Sequence, residues 1–292
     1  SSLFSCVSSA ESLISSVSTV DASEIKNIPV TNITQGLAGR SPGLIVQARG
    51  GGVNKTSEIS IRGGETPLVV IDGLIRAYND FVALSPDDIE NLAILKDASA
   101  TAVYGSRAAN GILQVTTKRG KLGSKPMVEY NFNQSFSQPN IWPKKLNSYD
   151  RAYYMNFAAK SDGLSTLPFS DDDLNKFKDG SDPFGHADVD WQSLVLKDYA
   201  PQQKHNIKMS GGSETNNYFV SLGYIDQGSL YRNDSHEMQR TNFRLNQSSV
   251  VKAIGLKTTA QIDGYVQETT HPYTSTSNSY YNVFSHIQNK KP

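Results

Sequence analysis

Residues 94–120 read ILKDASATAVYGSRAANGILQVTTKRG, an Ala-rich, helix-favouring centre held between two β-branched runs. Asp97 is placed to cap a helix by accepting from the free N–H groups of Ala98 to Ala100, and Gly105 to end it in a left-handed turn. A helix of about two turns is unstable alone. The flanking segments, Asn91 to Lys96 and Ile112 to Thr117, are therefore expected to be strands that support it. Ala98, Ala100, Ala102, Ala108 and Ala109 permit close backbone approach, and Gly111 lets the chain re-enter the sheet. Working upstream, LIVQARG, EISIRGG, PLVVIDGLI and NLAILKD continue the mixture of short units, which is the pattern of a compact α+β domain. Downstream, KRGKLGSKP (118–126) concentrates charge, glycine and proline, and marks a domain boundary.

Beyond Pro126 the period becomes two. Val128, Tyr130, Phe132 and Phe136 share one face, while Glu129, Asn131, Asn133 and Ser135 share the other. The alternation returns with Tyr218, Val220, Leu222 and Tyr224, with Phe243 and Leu245 against Asn242, Arg244 and Asn246, and with Ile254, Leu256, Ala260, Ile262 and Val266 against Lys257, Gln261, Asp263 and Gln267. These runs are long for a globular sheet and carry aromatics near their ends. Short connections (GGSET, VVKA) alternate with longer polar ones (138–203 and 229–237). Both features suit a membrane barrel. The rival is a soluble carbohydrate-binding or adhesion β-sandwich, with Trp142 and Trp191 as sugar platforms.

Bulk properties narrow the classes. The 292 residues balance 28 Lys plus Arg against 28 Asp plus Glu, so no broad basic field attracts nucleic acid. A single cysteine, Cys6, excludes an intrachain disulfide framework and a cysteine-based zinc site. No apolar run reaches the ~18 residues of a membrane-spanning helix, a criterion that does not address a barrel.

The remaining motifs carry little chemistry. Gly39-Arg40-Ser41-Pro42-Gly43 matches G-x-S-x-G, but the residue after the serine is a proline without the N–H that an oxyanion hole requires. Gly50, Gly51, Gly52, Gly63 and Gly64 lack the lysine of a phosphate loop. Asp179, Asp182, Asp188 and Asp190 are candidates for calcium in an outer loop, without EF-hand spacing. The five histidines show no i,i+4 pair. No enzyme and no other cofactor is expected.

The segments GLAGRSPGLIV (36–46), EISIRGG (58–64), PLVVIDG (67–73), LSPDDIENLAILKDASATAVYGSRAANGILQVTTKRG (84–120), VDWQSLV, HNIKMSGGSETNNYFVSLGY and RTNFRLN together resemble the SusC/RagA class of TonB-dependent outer-membrane transporters. The resemblance implies a lead-in over 1–20 and an α+β plug domain over 21–121. Over 122–292 it implies antiparallel transmembrane β-strands and extracellular loops of an incomplete large outer-membrane β-barrel. Its plug signature falls on Asp72, Gly73, Lys96, Asp97, Ala98, Tyr104, Gly105, Arg107, Asn110 and Gly111. It further implies outer-membrane lipid around the barrel, a SusD-like surface lipoprotein, the TonB complex, and a glycan or peptide substrate in a Bacteroidetes-like Gram-negative bacterium. Candidates for the lumen face are Glu129, Asn131, Asn133, Asn242 and Arg244, and for ionic contacts from plug to wall Arg62, Asp72, Arg107 and Lys118. Upstream of Ser16 the resemblance fades, and no TonB-contact segment is identified. About five of some 22 strands are expected here, an open sheet that would not seal a pore by itself.

Overall fold

The computed structural model describes residues 17–21, 25, 31–48, 52–96, 102–139 and 145–271. Two compact units emerge. One comprises Ser1–Ser135, Gln202–Gln227 and Met238–Glu268; the other comprises Phe136–Pro201, Gly228–Glu237 and Thr269–Pro292. Packing thus groups the five later strands, wholly or in large part, with the N-terminal domain and sets the long connections between them apart.

In the first unit a five-stranded sheet is ordered β1-β6-β7-β4-β5, from β1 (Val17–Asp21), β4 (Leu68–Ile71), β5 (Leu74–Arg76), β6 (Ile89–Leu95) and β7 (Ile112–Thr117). β1 runs antiparallel to β6, so residues 17–20 belong to the sheet and the expected lead-in is too long by those four. A hairpin of β2 (Leu44–Ala48) and β3 (Ser57–Ile61), with helices α1 (Ile33–Gly36) and α2 (Tyr78–Ala83), completes the domain. Its core joins Ile33, Leu37, Ile59, Phe81, Leu92, Ile94, Leu113 and Val115. Each such side chain contributes about 1.5–3 kcal/mol on burial.

The stretch 94–120 folds as β6, a short helical segment and β7, with β6 and β7 antiparallel. The described part of the helical segment, Ala102–Ala108, is 3-10 rather than α-helical, and Gly105, at positive φ as expected (φ 63°, ψ −151°), breaks it into two short turns. That backbone region is open essentially only to glycine. The expected cap, Asp97, lies outside the described residues with Ala98.

The second sheet is ordered β12-β11-β10-β9-β8, from β8 (Met127–Ser137), β9 (Ala200–Gly212), β10 (Asn216–Gln227), β11 (Met238–Val251) and β12 (Leu256–Thr269). Periodicity does not mark β9, whose outward positions begin with Pro201, Gln203 and His205 before Ile207 and Met209 follow. In the second unit that loop contains α3 (Ser148–Ser161), α4 (Asp171–Asp179) and α5 (Trp191–Val195). α4 is delimited by a Ser170/Asp173 capping box and by Gly180 in the left-handed conformation.

Gly111 shows how tightly the first sheet closes. It sits at φ 86°, and a Cβ there would lie 2.8 Å from Ile61 Cδ1 and 3.0 Å from the Leu95 carbonyl oxygen. Gly111→Ala is therefore expected to destabilise the domain by about 1–3 kcal/mol, read as a lowered urea midpoint of the intact protein. An unchanged midpoint would contradict this packing.

Candidate functional site

The second sheet buries many polar and charged side chains and exposes many apolar ones. On β11, Arg240, Asn242, Arg244 and Asn246 are buried while Phe243 is 45% exposed; on neighbouring strands Lys208 is 5% exposed but Leu222 51%. Soluble sandwiches bury the opposite face. The buried polar face is covered by the N-terminal domain, and β11 meets it residue by residue.

Asn246 Nδ2 donates to Thr117 Oγ1 (2.9 Å) and to the Lys118 carbonyl (2.8 Å). Two residues on, Arg244 lies 3.7 Å from Asp72, 4.0 Å from Asp88 and 3.8 Å from Asp263. Asn242 donates to the Ala83 carbonyl. Arg240 donates to the Thr31 carbonyl (2.6 Å) and to Asn32 Oδ1 (3.2 Å). Met238 ends the series in a small apolar cluster with Val53 and Ile225. Alternate residues of one strand thus read the domain from its last strand to its β2–β3 loop.

β9 adds the second half of the charge balance. Lys204 pairs with Asp87 at 2.7 Å; Lys208 lies 3.6 Å from Asp87 and 3.1 Å from Glu129. Asp72, Asp87 and Asp88 are each buried nearly completely at the side chain, at 2–4% exposure. Asp72 also accepts from the Thr117 N–H (2.9 Å) and Thr117 Oγ1 (2.6 Å) and faces Arg119 at 3.8 Å. Burial pushes the Asp88 carboxyl above the usual carboxylate range, with Arg244 pulling the other way. A polar cavity of about 250 Å³ opens beside these groups, bordered by Arg76, Asp80, Asp88, Asn242, Arg244 and Asp263. Arg76 and Asp263 pair across it at 2.6 Å.

Local folding explains why Asp72 is available. Asp72 (φ 51°) and Gly73 (φ 88°) form the two-residue turn of the β4–β5 hairpin. The Asp-Gly pair is the sequence signal for such a turn and was open to reading. Gly120 fixes the join to the wall: a Cβ there would fall 2.3 Å from the Tyr218 carbonyl and 2.6 Å from that of Gly211. Past it, Ser124 O accepts from Gly212 N (3.0 Å) and Gly123 N donates to Ser213 O (2.9 Å). The linker therefore lies against the β9–β10 turn.

The other sequence candidates are placed as follows. Lys96 donates to Ser18 Oγ (2.6 Å) and to the Pro42 carbonyl, a clasp within the domain. Tyr104 packs on the Val70, Ala108 and Ile112 cluster. Asn110 lies beside Gly64, whose Cβ would sit 3.1 Å from its Oδ1. Arg107 is exposed and, among the described residues, makes no ion pair with the wall; Arg62 is exposed at φ 54°. Lys118 donates to the Asp87 carbonyl (2.8 Å), inside the domain. Asn131 donates to Glu129 (2.8 Å), while Asn133 is exposed. Sequence reasoning misses Lys204, Lys208 and Arg240, because β9 begins with polar residues on both faces and Arg240 precedes the first apolar residue of the alternating run Phe243 and Leu245.

The calcium candidates do not converge. Asp179 accepts from Ser181 N, Asp188 from Ser148 N, and Asp190 caps α5, while Asp182 engages His186. Among the described residues no three His, Cys, Asp or Glu side chains form a group able to hold a metal ion. Ser41 is buried in a turn after α1.

Residues 9–112 match the TonB-dependent Receptor Plug Domain family. The "TonB-dependent receptor P26" of Formosa agariphila is 33% identical over 84% of this chain and 26% of its own length. The "TonB-dependent receptor SusC" of Bacteroides thetaiotaomicron is 34% identical over 80% of the chain and 22% of its own length. The chain belongs to the SusC/RagA family of TonB-dependent receptors. The solved RagAB peptide transporter superposes with a TM-score of 0.74 at 28% identity, over 88% of this chain and 31% of the other. The chain spans about a quarter of the length of the curated relatives it matches. Its α+β domain is the plug, and β8–β12 are strands of the receptor barrel, which excludes the β-sandwich rival.

Two outcomes test the site. Asp87→Ala leaves Lys204 and Lys208 buried without their shared carboxylate, and is expected to cost about 3–5 kcal/mol, measured by urea unfolding of the intact protein in detergent. Replacing all three by apolar residues of similar volume should recover much of that loss. In the second unit, His186 Nδ1 lies 2.8 Å from Asp182 and Nε2 2.9 Å from Asp173. Those carboxylates raise the His186 pKa, and Asp173 is lowered to about 2, chiefly by His186. The histidine contribution is complete below its unfolded value near 6.5 and is lost as pH rises through the raised one. The Asp173 contribution is present above about 3.9 and is lost as pH falls towards about 2. An NMR titration of the His186 ring should give a midpoint above 6.5 that Asp173→Asn lowers.

Proposed function

We propose that the intact protein is an outer-membrane importer of oligosaccharides or peptides, which receives substrate from a SusD-like lipoprotein and is driven by the TonB complex. The observation that carries this reading is the reversed sheet: apolar side chains face outward along β8–β11, and the polar face is occupied by the plug. An outward apolar band is what lipid requires, and a polar interior is what a solute path requires. In this reading Glu129, Asn131, Asn133, Asn242 and Arg244 belong to the lumen side, the last two seating the plug. The likeness to the TonB-dependent receptor SusC supports the TonB-driven reading, and that to the RagAB peptide transporter supports peptides as one substrate class. The reaction is translocation, with no covalent step.

The linker after the plug lies against the 211–215 turn. With the plug entering from the periplasm, that turn is periplasmic and residue 165, in the long segment after β8, is extracellular. Intact cells carrying Ser165→Cys or Asn216→Cys, treated with a membrane-impermeant maleimide, are expected to label at 165 and not at 216. Labelling at 216 but never at 165 would reverse the orientation. A full-length protein that stays dissolved without detergent would overturn the reading altogether.

A further inference from the structure

Cross-strand pairing arranges the outward face of the wall in rows. Met209, Val220 and Leu245 form one, and Ile207, Leu222 and Phe243 the next; then come His205, Tyr224 and Thr241, and finally Gln203, Asp226 and Gln239. Successive rows are about 6.8 Å apart. The aliphatic band therefore stops at the His205 row, and the first wholly polar row follows immediately.

His205 is embedded there in aromatic rings. Phe132 is 4.9 Å away between centroids, and Tyr130 and Tyr224 are each 6.2 Å away. Tyr130 Oη lies 2.8 Å from His205 Nδ1. A neutral imidazole and a phenol together carry one N–H and one O–H. Their mutual hydrogen bond uses one of these, whichever tautomer holds. If the phenol donates, the Nε2–H is left over; if the imidazole donates, the phenol O–H is left over. A donor on the outward face, at the edge of the aliphatic band, requires an acceptor, since leaving it unmade in an apolar medium is costly.

We propose that the Tyr130–His205 pair is a lipid-anchoring site that donates this remaining hydrogen to an acyl-ester carbonyl of a membrane lipid. The proposal rests on the membrane reading above and deepens it. An ester carbonyl fits better than a phosphate. Asp226 faces outward one row nearer the polar side, where its carboxylate repels an anion, and the outward positions of the last two rows on β9–β11 contain no Lys or Arg. Phe132 and Tyr224 flank the pair with rings suited to the boundary between hydrocarbon and water. The bond would fix the height of the wall, holding the Ile207, Leu222 and Phe243 row within hydrocarbon.

The test uses the full-length protein in nanodiscs of phosphatidylcholine with either ester-linked or ether-linked chains of equal length, since the ether lacks the carbonyl acceptor. The His205 ring ¹⁵N and Tyr130 ¹³Cζ resonances, assigned by their loss in His205→Phe and Tyr130→Phe, are expected to differ between the two bilayers. Identical resonances in both would overturn the anchor. A Leu222→Trp variant in bilayers brominated at mid-chain reads the underlying membrane placement separately. Strong quenching is expected. Quenching with identical resonances removes only the anchor, whereas absence of quenching removes the membrane reading and the anchor with it.

Discussion

Four cationic side chains on the inward face of the wall, the buried Lys208, Arg240 and Arg244 and the largely buried Lys204, set the problem that the plug solves. Charges removed from water must be paired or hydrogen-bonded. Asp72, Asp87 and Asp88 supply the carboxylates for three of them, and two oxygens, at Thr31 and Asn32, receive the fourth. The arrangement explains the layout of the plug around its acids. Asp72 is exposed to the wall by a hairpin turn, and Asp87 and Asp88 by the 3-10 turn that leads into β6. Hydrophobic residues hold the plug together, but its fit to the wall is polar.

Much of the fold could be read from the chain before its structure. Alternation exposed β8, β10, β11 and β12 because each carries aliphatic or aromatic residues at alternate positions along part of its length, as Phe243 and Leu245 do on β11, a signal independent of which face meets water. The direction of that face could not come from periodicity alone, since a sandwich alternates equally. It required knowing that Arg244 is 3% exposed and Leu222 51%. β9 escaped because Lys204, Asn206 and Lys208 alternate with a stretch whose outward positions begin with Gln203 and His205. The segment around Gly105 misled for another reason. Alanine-rich composition predicts an α-helix, whereas the described part of the segment, Ala102–Ala108, is 3-10 with Gly105 in a non-helical conformation; propensity is a weak guide that tertiary context overrides.

Within the candidate site, legibility follows sequence distance. Asp72 and Arg244 were each singled out, yet nothing in either neighbourhood announces the other, 172 positions away. The plug signature clusters on residues that shape the domain from inside: Gly111 for its close approach to Ile61, Lys96 for its clasp on Ser18, and Tyr104 for its packing on Ala108. Residues that meet the wall are spread over β9 and β11, where only a pairing register brings them together.

That register also makes the seat of the plug discrete. Buried ion pairs add little net stability over apolar packing, but they penalise every misaligned alternative. A displacement of the plug by one row, about 6.8 Å along β11, would bring the amide of Asn246 or Asn242 to the acids that Arg244 now serves. Arg244 would face a neutral carbonyl in exchange. Asp72 and Asp88 would both lose Arg244, which would keep only Asp263 of β12, and the Asn amides would have to replace hydrogen bonds to main-chain oxygens with bonds to charged groups. Alternation of neutral amides and guanidinium groups on one strand therefore makes a one-row displacement costlier than the seated state.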